Sequence, residues 1–413
     1  MSKFILMNKN VETMIIEKND EDWLFEDYYK VLNDEWLPLS IYHALDSDNR
    51  LEVIKSINAW FDSRIVPDYR DNKNEIFKEY AVTGGHELAS KHFALSLSDQ
   101  YWLKPLDSDI SWSEINYFEN NYDGKSFFET TYGKGSFDTL NVRAVDMDKY
   151  STPNNTLGGQ LKKAWIKYND DNYLIKGSSA LYPIEPINEV IASKICKILD
   201  VPYVQYELKH IQTKRQQALV SVCKCMIDSS HEIIPAYQIL KEAHDRTNTI
   251  ADYYKYVEIL EEHGIVNANE IVQKMFMIDY IMLNEDRHLN NFGIIRNVES
   301  LKWVGVCPIF DTGRSNNCNV TEPYWDFKTG EIKCFTKQFI SSERLLDLFT
   351  ISLDEEFFDQ LRSIAKEYRV LLKQNQAYIK LFDEQIENLS KGLETRIEMF
   401  YDAMLKKNLI TKK

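Results

Sequence analysis

An α+β architecture in two lobes, preceded by a separate N-terminal region, is expected of this chain of 413 residues. Three features lead to it. Between 146 and 228 the pattern is one of short strands broken by Gly, Pro and Asn/Asp turns, with one helix among them. From 229 onward the pattern is mainly helical. Within that helical half, one polar loop at 284–293 is set between an apolar helix and a hairpin. The length allows two or three domains with substantial cores. Their expected limits are 1–145, 146–228 and 229–413.

Residues 1–145 are rich in aromatic and acidic side chains. Residues 51–64 read as an amphipathic helix with Leu51, Ile54, Ile57 and Phe61 on one stripe. Gly84 and Gly85 open a further helix, and 95–103 reads as extended. Trp112, Phe118, Phe127 and Phe128 fit either a peptide-binding surface or a packing module. Nothing in this region suggests catalysis.

Gly158-Gly159 is a turn between expected strands. Glycine there either lets backbone amides approach a phosphate or closes a plain hairpin. Residues 165–168 and 173–177 form the next hairpin, which places Lys176 at the end of a strand. Residues 188–199 form a helix with Pro186 near its start and a buried stripe at 191, 195, 198 and 199. Two antiparallel strands follow at 201–208 and 217–223, then helices at 235–244, 250–263 and 268–283. Two long helices at 353–374 and 378–407 close the chain, with stripes too irregular for a coiled coil.

The polar loop reads Asn284-Glu285-Asp286-Arg287-His288-Leu289-Asn290-Asn291-Phe292-Gly293, and Asp311-Thr312-Gly313 follows it. Residues 271–283 before the loop are apolar almost all round, as in a buried helix. After it, 292–295 and 303–306 form a hairpin that leads to Asp311. An Asp, an Asn five residues on and a second Asp before a Gly are the minimum for phosphoryl transfer from a magnesium nucleotide. The first Asp takes the proton of the attacking hydroxyl. The Asn amide oxygen and the second Asp suit Mg2+, which takes few carboxylates and keeps waters. The competing reading is an Asn/Asp-rich capping loop, which the downstream Asp-Thr-Gly weighs against.

Helix, polar loop, hairpin and metal Asp follow the order of the protein-kinase catalytic core. His288 stands two residues after Asp286, not two before it as in ordinary protein kinases, and this resembles the phosphoinositide 3/4-kinase-like branch. Within that branch, the run from Asn284 to Gly293 with Pro308-Ile309-Phe310-Asp311-Thr312-Gly313 is similar to the bacterial HipA family of Ser/Thr kinases. The likeness is specific over 278–315 and diffuse over 150–340. It implies a bilobal protein-kinase-like (HipA-like) fold with ATP and Mg2+ as cofactors. Asp286 would be the catalytic base, with His288 bracing its loop, and Asn291 and Asp311 the metal ligands. Gly158 and Gly159 would cover the nucleotide, with Lys176 on its phosphates and Glu189 paired to Lys176. Glu189 alone also reads as a first-turn acid favoured by the helix dipole. The linker through Cys225 and Ile227 would meet adenine. The resemblance further implies a protein substrate, translation-linked, a toxin-like role and an antitoxin-like partner. It also implies self-phosphorylation near the glycine turn, at Ser151, Thr152 or Thr156. The segment from Thr312 to Phe335 would be the activation segment, and Ser315 and Thr321 read as exposed hydroxyls in it. A partner-binding pseudokinase and a small-molecule phosphotransferase stay open as alternatives.

Composition narrows the partners. Hydrophobic residues make up 44% and charged residues 27%, as in an ordinary globular protein. No apolar run approaches the roughly 20 residues that span a bilayer, and the first residues carry no leader pattern, so a cytoplasmic location is expected. A net charge of −15 disfavours generic binding to nucleic acid or anionic membrane, and with it a lipid kinase. The six cysteines show no paired metal-ligand spacing, and Cys223 and Cys225 are expected as reduced thiols on one strand face.

Overall fold

The structure is a computed structural model that describes residues 1–411 except 71, 123, 134, 138–151, 157–160, 214–216, 243–249, 334, 336 and 337. It opens with an antiparallel sheet of β1 (Ser2–Asn8), β2 (Val11–Lys18), β3 (Phe25–Val31) and β4 (Tyr101–Pro105), ordered β3-β2-β1-β4. Helices α1 (Leu39–Leu45), α2 (Arg50–Asp62), α3 (Lys73–Glu79) and α4 (Gly85–Lys91) lie between β3 and β4. Successive residues of a strand point to opposite faces, and β1 uses both. Leu6 packs with Ile57, Trp60 and Phe61 of α2, while Ile5 and Met7 pack with Trp102, Trp112 and Tyr117. Helices α5 (Trp112–Ile115) and α6 (Gly124–Tyr132) complete the region.

The α2 helix starts at an Asn49 cap, whose side chain accepts from the Leu51 amide. Its buried stripe is Val53, Ser56, Ile57, Trp60 and Phe61. Leu51, expected on that stripe, is exposed and Ile54 is half-buried, because the inward face follows the i, i+3, i+4 spacing of Val53, Ser56, Ile57, Trp60 and Phe61. Likewise, the extended run expected at 95–103 is a strand only from Tyr101.

The second sheet holds β5 (Gly135–Phe137), β6 (Lys163–Tyr168), β7 (Asp171–Lys176), β8 (Tyr206–Thr213) and β9 (Gln217–Lys224), ordered β5-β8-β9-β7-β6. Helix α7 (Glu185–Ile198) joins β7 to β8, with Pro186 in its first turn, where a missing amide hydrogen costs nothing. Residues 201–205, expected as strand, lie outside the sheet, and Tyr203 makes a single bridge to Ile309.

The remaining half contains β10 (His231–Pro235), α8 (Ala236–Glu242), α9 (Ala251–Glu262), α10 (Ala268–Met282), β11 (Gly293–Asn297) and β12 (Trp303–Val306). The three strands form a sheet ordered β10-β11-β12. Eleven of the fifteen residues of α10 are buried, as its nearly continuous apolar sequence requires. The chain ends with β13 (Glu331–Ile332), β14 (Ile340–Ser341), α11 (Glu343–Leu346), β15 (Leu353–Asp354), α12 (Glu355–Gln374), α13 (Gln376–Ile379), α14 (Asp383–Lys406) and β16 (Ile410–Thr411). Helix α14 packs against α10, with Phe400 beside Tyr280, and α12 packs against α14 and α7, with Phe358 beside Phe400. No described helix is long and apolar enough to cross a membrane.

Candidate active site

The polar loop is fixed by groups at the end of α10. Leu283 leaves the helix in a left-handed conformation, φ 51°, unusual for a side chain of this kind. The Asn284 side chain then donates to Asp279 Oδ1 at 2.8 Å and accepts from the Asp286 amide at 3.1 Å. Arg287 turns inward and is only 1% exposed. It donates to both oxygens of Asp279 at 2.9 and 3.0 Å, to the carbonyls of Asn291 and Phe310, and to Thr312 Oγ1. One guanidinium thereby ties α10, the loop and the segment around Asp311 together.

His288, expected to brace the loop, makes one side-chain hydrogen bond within it. Its ring is 40% exposed, its Nε2 lies 3.9 Å from Asp286 Oδ1, and its Nδ1 accepts from the Asn290 amide within the same turn. Most of the bracing comes from Arg287 and Asn284. A lone Asp279 in an apolar helix was the signal for it, because a buried carboxylate requires a partner.

Asn291 donates its side-chain N–H to the Asp286 carbonyl at 2.8 Å. That bond fixes the amide orientation and leaves the side-chain oxygen free for another donor or a cation. Asp286 itself is 39% exposed at the side chain. Burial raises its pKa, and the Asp311 charge adds to this, against the opposite pull of His288 and Arg314.

Asp311 adopts φ 55°, a left-handed conformation that Asp tolerates better than most residues. Its Oδ1 accepts from Lys176 Nζ at 2.6 Å. The same ammonium donates to Glu189 Oε1, so the expected Lys176–Glu189 pair is formed. Glu189 Oε2 accepts from the Thr312 amide at 3.0 Å. Burial works to raise the Asp311 pKa, but Lys176 and Lys163 together hold it well below the usual carboxylate range. Burial pulls Lys176 down, yet Asp311 and Glu189 outweigh it and keep the amine protonated. Gly313 is closely packed here: a Cβ would come within 3.1 Å of the Glu185 carbonyl and 3.2 Å of Glu189 Cγ, so these neighbours would have to give by a few tenths of an ångström. Asn188 donates to the carbonyls of Gly313 and Ser315, both at 2.9 Å, and so fastens α7 to this segment.

A cavity of about 860 Å3 brings Lys176, Glu189, Asp286, His288, Asn291 and Asp311 to one space. Lys163 joins them. It is the cross-strand partner of Lys176, and burial pushes its pKa down to about 8. Met226 lines the cavity, whereas Cys225 and Ile227 do not. The Cys225 amide is spent on the Asn172 carbonyl at 2.7 Å, and its thiol packs beside Trp112 and Leu97. Gly158 and Gly159 lie outside the described residues, as does Ser151.

Three expected hydroxyl sites are corrected. Thr156 is 6% exposed, and its Oγ1 donates to the Leu95 carbonyl at 2.5 Å; Thr152 is fully buried. A kinase cannot reach either without opening that turn. Ser315, expected to be exposed, is also buried and donates to the Thr312 carbonyl at 2.7 Å. Thr321 is exposed as expected.

No family model and no curated protein matches the chain. Solved structures do. HipA of Shewanella oneidensis MR-1, determined in a toxin–antitoxin complex with HipB and operator DNA, is 12% identical. The match covers 97% of each chain with a TM-score of 0.50. The Helicobacter pylori proinflammatory kinase CtkA is 16% identical, over 60% of this chain and 95% of that one, with a TM-score of 0.42. The chain is thus an α+β protein with the kinase-like fold of HipA along nearly its whole length.

Proposed function

We propose that the chain is an ATP- and Mg2+-dependent kinase that phosphorylates serine or threonine in a protein acceptor. One observation carries this reading: Lys176 is bonded at once to Glu189 and Asp311, on the wall of a cavity shared with Asp286 and Asn291. That is the arrangement phosphoryl transfer needs, in which positioning and charge supply most of the catalysis.

The donors fit magnesium. Asp311 is held as a carboxylate, and the Asn291 amide oxygen is left over from the bond to Asp286. One carboxylate and one amide oxygen leave the remaining positions to waters and phosphates, as Mg2+ prefers. When bound there, Mg2+ supplies charge neutralisation for the transferred phosphoryl group. Lys176 and Lys163 add cationic donors at the phosphate end. Asp286 accepts the proton of the attacking hydroxyl, and its raised pKa makes it a better base than an ordinary aspartate.

The test is incubation of the purified chain with Mg-ATP and a cell lysate, followed by mass spectrometry of the products. Phosphoserine or phosphothreonine on a lysate protein, absent with Asp286→Asn, supports the reading. ATP binding with no phosphate on any protein supports a pseudokinase, and phosphate only on a metabolite supports a small-molecule phosphotransferase. By analogy with the HipA–HipB complex, an antitoxin-type protein partner is part of the proposal, tested by co-purification of a neighbouring gene product with the chain.

A further inference from the structure

We infer that Asn188 and Tyr368 are positioning residues for the phosphate end of the site: through them, helix α12 holds the turn that follows Asp311 in place beside Lys176 and Glu189. The inference rests on the kinase reading above for what the turn does, and on hydrogen bonds alone for what holds it.

Asn188 is fully buried, one residue before Glu189 on α7. A side-chain amide has two N–H donors and an oxygen with two lone pairs, and Asn188 uses all four places. Its N–H groups donate to the carbonyls of Gly313 and Ser315, both at 2.9 Å. Its oxygen accepts from Asn316 Nδ2 at 3.1 Å and from the Tyr368 hydroxyl at 3.2 Å. These partners fix the orientation of the amide, because turning it over would set its oxygen against two carbonyl oxygens. Glu189, the next residue, accepts from the Thr312 amide at 3.0 Å. Two successive residues of α7 therefore grip the turn at 312–316 by its donors and its acceptors alike. The turn needs such a grip. Asp311, Asn316 and Asn317 each adopt φ 55°, a conformation that costs energy and persists only where the surroundings hold it.

Tyr368 brings α12 into this hub. It is fully buried, and its hydroxyl reaches Asn188 across 180 positions of sequence. Helix α12 also meets the N-lobe at two other places. Glu367 pairs with Lys194 of α7 at 2.7 Å, with side chains 43% and 38% exposed. Leu371 packs against the cluster of Val190 and Tyr206, and the Lys176 ammonium lies 5.3 Å from the centre of the Tyr206 ring. The ion pair joins the two helices without touching the turn, and a pair so exposed contributes little. The Tyr368 hydroxyl differs in kind. Its removal leaves a buried lone pair of the Asn188 oxygen unmet and weakens a network whose bonds support one another. Helix α12 thus bears on the neighbourhood of Asp311 through one buried amide.

The experiment follows amide hydrogen exchange in the full chain, together with the Mg2+ dependence of binding of a fluorescent ATP analogue. Tyr368→Phe keeps the ring and removes only the hydroxyl. Exchange should speed up about fivefold over 312–318 and stay unchanged in α10 and α14, as when one net hydrogen bond is lost from a local unit. The Mg2+ concentration for half-maximal nucleotide binding should rise by about the same factor, because the turn places Asp311. Lys194→Ala removes the exposed ion pair between the same two helices and should change neither quantity. Asn188→Asp keeps an oxygen for Tyr368 and Asn316 but replaces both donors, and should raise exchange over 312–318 by more than about tenfold. If that variant does not fold, Tyr368→Phe decides alone. Unchanged exchange over 312–318, a rise spread evenly through the core, an equal response to Lys194→Ala, or an unaltered Mg2+ requirement overturns the inference. None of these touches the kinase reading, which stands or falls on phosphoryl transfer by the unaltered chain. The expected local changes without such transfer support the inference and overturn the kinase reading.

Discussion

Arg287 and Asp279 form a two-bond pair, 2.9 and 3.0 Å, in which each residue is 1% exposed. The pair joins the residue after the proposed base to the helix that delivers it. Because Arg287 also holds Asn291, Phe310 and Thr312, it fixes the spacing between the proposed base and the proposed metal ligands.

Arg287→Lys should therefore be far from conservative. Lysine offers a point charge where a planar fork makes five bonds. Leaving Asp279 poorly paired in the interior costs about 3–5 kcal/mol. Urea denaturation should show a lower midpoint, and the fraction that stays folded should show a reduced kcat. An unchanged midpoint would mean that the loop is held by something else.

Lys176→Met should leave the buried Glu189 carboxylate unpaired beside the partly exposed Asp311 carboxylate, with a loss of up to about 3–5 kcal/mol near neutral pH. The sign with pH is definite. In the unaltered chain, Asp311 has a depressed pKa and contributes stability above its unfolded value, lost only as pH falls through the folded value. Without Lys176, both carboxyls prefer to bind protons in the folded state, so acid favours folding of the variant. The stability gap between the two proteins should narrow from pH 7 toward about pH 5. A gap that widens in acid would contradict the pairing.

Asp286→Asn should abolish phosphoryl transfer while leaving ATP affinity within a few-fold, since the base acts on the acceptor. Asp311→Asn should lose both, because it removes a ligand of the ion that bridges the phosphates. Titration with a fluorescent ATP analogue separates the two, and equal loss of binding in both variants would overturn the roles.

The acid limb of kcat/KM should lie above the pH at which an ordinary aspartate titrates. Burial, with help from Asp311, raises the Asp286 pKa, and the active form is the deprotonated one. Arg314 is exposed on the cavity wall and pulls the other way. Arg314→Ala should move the limb to still higher pH. A limb that stays in place would show that another group sets it.

The part of the candidate site proposed to be catalytic was legible as a cluster because its residues are local in sequence or follow a regular period. Asp286, Asn291 and Asp311 form a short pattern, and the two-residue period of β7 places Lys176 at its inner end. Glu189 follows from a helix with a clear start. Arg287 was not legible in this way. In a polar loop an arginine reads as a solvated charge, and only its partner eight residues back shows otherwise. The linker failed for a related reason. Backbone donors look equivalent in a sequence, but the Cys225 amide is claimed by Asn172 from a neighbouring strand. Thr156 reads as a turn hydroxyl, yet tertiary packing against Leu95, 61 residues away, buries it. The N-terminal side of the cavity was invisible because residues 38–69 meet residues near 235 and 286 only in three dimensions.

The bonds that anchor the N-terminal region also set the order in which the protein can be made. Arg296 donates to Tyr101 across 195 positions, and Lys9 reaches Glu299 across 290. Contacts this distant in sequence close late and slow folding. During synthesis, the first hundred residues must wait until about three quarters of the chain has left the ribosome before their docking face is covered. Over that interval the newborn protein exposes the surface that later closes over the cleft, and the nascent chain is at its most exposed to chaperones and proteases. Activity then appears only once translation has passed the proposed catalytic loop and the hairpin that bears Arg296.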